Sequence, residues 1–146
     1  MSNQDVIHLW SDAWLLQSIA LATQAGPATL AQIIGAADAV NHALPTSDEL
    51  HGGFARLTAA GFISEAKERF TITQLVPVAT LSSIRSSGWQ SGRRVASKFL
   101  HAEEWTPSRN VRDPRNNVIY EGLTDQRIRE ADREYRRQVR SWQRRK

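Results

Sequence analysis

Nine cations crowd the last twenty residues of this chain: Arg127, Arg129, Arg133, Arg136, Arg137, Arg140, Arg144, Arg145 and Lys146. Guanidinium groups at that density offer charge-assisted hydrogen bonds to phosphate oxygens. Glu130, Asp132 and Glu134 sit among the first of them, and no acid follows Glu134. The stretch 136–146 therefore reads in one of two ways. It is either a phosphate-contacting arm or a solvated helix face whose upstream acids partly pair with it.

Other residue patterns that could carry chemistry are sparse. Asp38 and His42 stand at i,i+4, a spacing that could hold a metal, but no third ligand lies nearby, and His8, His51 and His101 are scattered. No Gly-x-Ser-x-Gly elbow is present. Gly52-Gly53 and Gly88-x-x-x-Gly92 match no nucleotide or dinucleotide fingerprint. Glu103-Glu104 is an adjacent pair in an irregular stretch, a poor arrangement for acid–base work. The expectation is a chain with no catalytic residues, no metal and no cofactor.

The 146 residues suffice for one domain with a real core plus some extra structure. There is no cysteine, so disulfides and thiolate metal sites are excluded, and a reducing, cytoplasmic setting is expected. No apolar run approaches the roughly 20 residues of a membrane span. The N-terminus has no basic stretch before its apolar run, so no signal peptide is expected. The net charge of +4 hides an asymmetry. Residues 1–78 hold three cations (Arg56, Lys67, Arg69) against seven acids, a balance of −4, and residues 79–146 hold the other 16 cations against 8 acids, a balance of +8. That split suggests an acidic domain over 1–78 and a basic helical extension over 79–146.

Apolar spacing assigns the elements that must position these groups. Residues 6–25 read as a helix that is apolar on more than one face, hence central, stopped by Gly26-Pro27. Thr29 and Gln32 form a candidate capping box ahead of Leu30, Ile33, Ile34, Ala37 and Val40. A second box, Thr46 and Glu49, precedes Leu50, Phe54 and Leu57 on one helical stripe, closed by Ala60-Gly61. Phe62–Ser64 and Phe70–Thr73 flank a charged tip as a β-hairpin. A helix is expected over 79–102, with a possible break near Ser86–Gly92, and Gly88 and Gly92 would let another helix approach closely. Residues 103–123 read as irregular, and 124–145 as a helix. Its N-cap is Thr124, its staple is Leu123 with Ile128, and its apolar stripe is Ile128, Ala131, Tyr135, Val139 and Trp142.

The fold class expected is mainly α with a small β-hairpin. Over roughly residues 10–75 the order helix, helix, helix, hairpin resembles the winged-helix branch of the helix-turn-helix regulators. The resemblance is carried by Leu50-x-x-x-Phe54-x-x-Leu57-x-x-x-Gly61-Phe62-Ile63, followed by Phe70-Thr71-Ile72-Thr73. It covers about half the chain and implies a non-enzymatic DNA-binding protein in transcription regulation. In that family the third helix enters the major groove and the hairpin touches the backbone or minor groove. Carried onto this sequence, His51, Arg56 and Thr58 would face the bases, and Lys67 and Arg69 would meet phosphate. The third helix itself carries Asp48 and Glu49 against Arg56, so most of the positive charge would come from Arg136, Arg137, Arg140, Arg144 and Arg145. Tyr135 and Trp142 could stack on bases, but their place on the stripe favours packing. The stripe Ile128, Tyr135, Val139, Trp142 should be buried against something: a second copy, another protein, or the chain's own first domain. The rival reading is a protein-interaction module on the same fold, in which the acidic core and basic helix bind protein surfaces.

Overall fold

The computed structural model describes residues 6–104 and 113–144. It is mainly helical, with one small three-stranded antiparallel sheet. The first helix, α1 (Trp10–Ala22), starts four residues later and ends three earlier than its apolar run suggests. It is buried on every side: Ala13, Leu15, Leu16, Ile19 and Ala20 have no exposed surface. Four polar residues, Ser11, Asp12, Gln17 and Ser18, are buried with them. A helix without a solvent face belongs at the centre, and α1 is surrounded by its neighbours.

After Gly26, which adopts φ 131°, Ala28–Thr29 makes a short strand, β1, and Leu30–Asn41 forms α2. The Thr29 box is made: the Gln32 amide N–H donates to Thr29 Oγ1 at 3.3 Å, and the Thr29 N–H donates to Gln32 Oε1 at 2.9 Å. Trp14 Nε1 donates to the Ala37 carbonyl at 3.0 Å and ties α2 to α1. The Thr46 box starts α3 (Ser47–Ala59), with reciprocal bonds of 3.1 and 2.9 Å. Leu50, Phe54 and Leu57 are completely buried, as their spacing requires.

Strands β2 (Ile63–Ala66) and β3 (Arg69–Ile72) pair with Ile63 opposite Ile72 and Ala66 opposite Arg69. β3 also pairs with β1, giving the order β1-β3-β2. Only Lys67 and Glu68 connect the hairpin, and both have positive φ (53° and 63°), as the two-residue turn that matches strand twist demands. Phe70 on β3 meets Phe54 on α3 at 4.8 Å between ring centroids.

The helix expected over 79–102 is interrupted within Ser86–Gly92, the stretch named for a break. α4 spans Val78–Ser86 and α5 spans Trp89–Leu100, with Gly88 at the N-cap of α5. Gly92 sits where a Cβ would fall 2.8 Å from the Ile84 carbonyl and 2.9 Å from Gln17 Nε2, so it permits the close approach. Arg85 turns inward and donates through Nε to the Ala20 carbonyl at 2.7 Å and through Nη2 to Thr23 Oγ1 at 3.1 Å, capping the end of α1. Within the stretch expected to be irregular, residues 113–124 form a strap: Pro114–Asn116 makes a 3₁₀ turn, and Leu123 is fully buried. The last helix, α6 (Asp125–Arg144), opens on Thr124, whose Oγ1 accepts the Arg127 N–H at 3.1 Å. The boundary expected at residue 78 does not divide the packing. One core cluster joins Leu15, Ile33, Phe54 and Phe70 to Ile84, Leu100, Leu123 and Ala131.

Candidate functional site

Outside its core stripe α3 carries His51, Arg56 and Thr58, the residues expected to face bases. Two of them are not free. Arg56 donates through Nε and Nη2 to the two carboxylate oxygens of Asp12, both at 2.7 Å. Its Nη2 also donates to Asn116 Oδ1 at 2.7 Å, and its Nη1 to the Arg115 carbonyl at 3.0 Å. Asp12 is fully buried and further accepts the Leu9 N–H at 3.2 Å, with His8 Nδ1 also 3.2 Å away. The Arg56 side chain is only 13% exposed. A buried carboxylate needs such partners, and Arg56 supplies a bidentate one.

His51 is also buried, at 7% exposure. Its Nδ1 accepts the Tyr120 N–H at 3.1 Å, and its Nε2 lies 3.5 Å from Asp125 Oδ1. The reason is the strap, residues 113–124, laid across α3. Asn116 is seated over Gly52, where an added Cβ would collide with its side chain and come 3.0 Å from its Cα. The Tyr120 ring lies 5.9 Å from that of Phe54, and its hydroxyl donates to Glu65 Oε1 at 3.3 Å, with Thr58 alongside. Burial, with Thr58 opposing it, holds the Tyr120 hydroxyl above the ordinary tyrosine value. Thr58 itself is exposed. At the start of the strap the hydrogen bond from Arg115 pulls the Asp113 carboxyl down to about 2.

At the hairpin tip Lys67 and Arg69 are exposed. Glu65 is drawn away from them into bonds with Tyr120 and with Arg127 Nη1, the latter at 3.0 Å, so Glu68 is the one acid at the tip.

The stripe on α6 divides. Its first part docks on this chain's own α2: Ile128, Ala131 and Tyr135 join the core cluster. Tyr135 lies against Gly35, where a Cβ would come within 3.0 Å of its ring, and donates from its hydroxyl to Asp38 Oδ2 at 2.6 Å. Burial, helped by that bond, pushes the Tyr135 hydroxyl up to about 12. Ile128 and Tyr135 are therefore not available to a second molecule. Val139 is half-buried and Trp142 is 55% exposed. Arg136 pairs with Asp132 at 2.9 Å, and Arg137, Arg140 and Arg144 are exposed. Arg145 lies outside the described residues.

The i,i+4 pair Asp38 and His42 is split by these contacts. Asp38 serves Tyr135, while the His42 ring meets Trp89 edge-on at 6.5 Å. Among the described residues there is no group of three side chains placed to ligate a metal, and no helix is long and apolar enough to cross a membrane. Sequence reasoning missed Asn116 and Tyr120 as the groups that close α3. The available signal was Gly52-Gly53 in mid-helix, a costly pair unless something packs there. Gly53 meets Leu15, and Gly52 meets the strap. No protein-family model, no curated protein and no solved structure matches the chain.

Proposed function

We propose that this chain is a non-enzymatic, winged-helix-like DNA-binding protein, of the regulator type the resemblance implies, that grips duplex through phosphate and not through base reading by α3. The observation that carries the reading is the end of α6. From Arg136 to Arg144 it presents four arginines and no carboxylate, and Arg140–Arg144 are all exposed. The order of three helices and a hairpin supports the same reading, as do the exposed Lys67 and Arg69. Phosphate contacts supply most of non-specific affinity, so a closed α3 costs sequence discrimination more than binding.

The test is fluorescence anisotropy of a labelled random duplex across a sodium chloride series. Three arginines on three phosphates contribute a slope of about −2.7 in log affinity against log salt. The variant R137Q/R140Q/R144Q should lose about that much slope and most of its affinity at low salt. Binding unchanged in that variant, or absent from the native chain at low salt, overturns the proposal.

One observation favours a second reading. Val139 and Trp142 continue the docked stripe past its contacts and leave an aromatic side chain in water beside arginines. Aromatic and arginine groups together suit a protein partner or a second copy. A concentration-dependent dimer abolished by Trp142→Ser, with no affinity for DNA, would select it.

A further inference from the structure

Between the start of α1 and the end of α5 lies an open groove of about 720 Å³. Arg94, Ser97 and Lys98 line it at i, i+3 and i+4 on one face of α5, and His101, the left-handed C-cap of that helix, follows at i+7. That spacing normally carries an apolar stripe, yet here it carries three donors of positive or titratable character and a hydroxyl. Arg94, Lys98 and His101 are exposed and have no ion pair or side-chain hydrogen bond among the described residues. Trp10, at the start of α1, also lines the groove, and the Arg93 guanidinium sits over its ring at 5.3 Å. That cation–π contact holds one cation in place before any ligand arrives.

We propose that this groove binds a small phosphate monoester, with the phosphate on Arg94, Lys98 and His101 and the organic portion against Trp10. Charge and size both fit. Arg93, Arg94 and Lys98 against Glu104, the one acid lining the groove among the described residues, leave a formal +2 with His101 counted as neutral. A phosphate monoester carries about −1.5 to −2 at neutral pH and offers three acceptor oxygens to a surface made of donors. The volume falls within the roughly 300–1,000 Å³ of small-molecule sites, and a concave wall suits a compact ligand better than a rigid duplex. The site is separate from α6, so it stands or falls independently of DNA binding.

The experiment is an amide and indole NMR titration of the full chain at constant ionic strength, with adenosine 5′-monophosphate, ribose 5-phosphate and inorganic phosphate as separate arms. Saturable shifts at the Arg94, Lys98 and His101 amides and at the Trp10 indole are expected with the two esters. The exposed double variant R94Q/K98Q should keep its melting temperature and lose at least about tenfold in ester affinity, the worth of one charge-assisted bond or more. Inorganic phosphate should bind more weakly than either ester, and equal binding would remove Trp10 from the site and overturn the ester assignment. The proposal is also overturned by an absence of saturation up to about 10 mM ester, by shifts confined to α6, or by native affinity in R94Q/K98Q.

Discussion

Arg56→Ala is the substitution whose outcome separates a DNA-reading arginine from a structural one. As a base contact, Arg56 would be dispensable for folding. In the structure its fork spans both oxygens of Asp12 at 2.7 Å while two further bonds reach Asn116 and the Arg115 carbonyl. Removing it leaves a carboxylate with no exposed surface and only the Leu9 N–H and His8 as partners. Breaking a buried pair in this way costs about 3–5 kcal/mol. For a chain of 146 residues that corresponds to a melting temperature lower by about 10 °C. Calorimetry or thermal circular dichroism reads the shift. Arg56→Lys should fall between, because an ammonium keeps the charge but cannot span both oxygens in plane. Asp12→Ala also loses the bond to Leu9, so the pair is best isolated in a double-mutant cycle, with an expected coupling of about 2–3 kcal/mol. The salt slope of the DNA binding proposed above should stay unchanged in Arg56→Ala below its melting temperature, because Arg56 would contact no phosphate. A melting temperature within about 2 °C of the native value would refute the reasoning. So would D12A and R56A effects that add within about 0.5 kcal/mol.

Three further outcomes follow from particular contacts. The chain has two tyrosines, one pushed up to about 12 and the other raised above its usual range, both chiefly by burial. The folded state favours the neutral phenols, so their contribution to stability is complete below about pH 10 and disappears as pH climbs toward 12; a tyrosinate absorbance step of both residues centred near 10 would contradict this. Replacing the left-handed Lys67-Glu68 turn by Asn-Gly should stabilise the hairpin by about 1–2 kcal/mol and, by removing the Lys67 charge, lower the DNA salt slope by about 0.9; a fall in melting temperature would count against the turn geometry. Gly52→Ala gains about 1 kcal/mol of helix propensity, yet should destabilise by about 1–3 kcal/mol through overpacking against Asn116; a rise in melting temperature would show that the strap does not rest there.

What the sequence revealed was local. Each capping box spans four residues, and the stripe Leu50, Phe54, Leu57 spans eight, so both are written in short windows. The hairpin and the break at Gly88 are likewise set by neighbours. The strap is not local: Arg56 reaches Asn116 across 60 positions and His51 reaches Tyr120 across 69. These are polar contacts without period, and helical spacing says only which face turns from the core. It cannot say that another segment covers that face. His51 and Arg56 therefore read as solvent residues although both are engaged.

The polar residues of α1 explain why the covering is so well defined. An all-apolar central helix would let its neighbours slide and rotate at little cost. Here Asp12 takes Arg56 of α3, Trp14 takes the Ala37 carbonyl of α2, and Gln17 donates to the Trp89 carbonyl at the head of α5 at 2.7 Å. Each bond would be costly to leave unmade in a dry interior, so each fixes the rotation of one neighbour. Once Arg56 is turned to Asp12, its remaining donors face outward and select the Asn116 amide oxygen and the Arg115 carbonyl, which seats the strap. The seated strap ends at buried Leu123, the staple residue of α6, and sends that helix along α2 to Tyr135 and Asp38. A single buried carboxylate at position 12 thus acts, through three bonded steps, on where the exposed arginines of α6 stand. If the α6 arginines carry the DNA contact proposed above, variants at Asp12 and at Arg56 should both change its affinity without touching the arm, each to the extent that it loosens the strap.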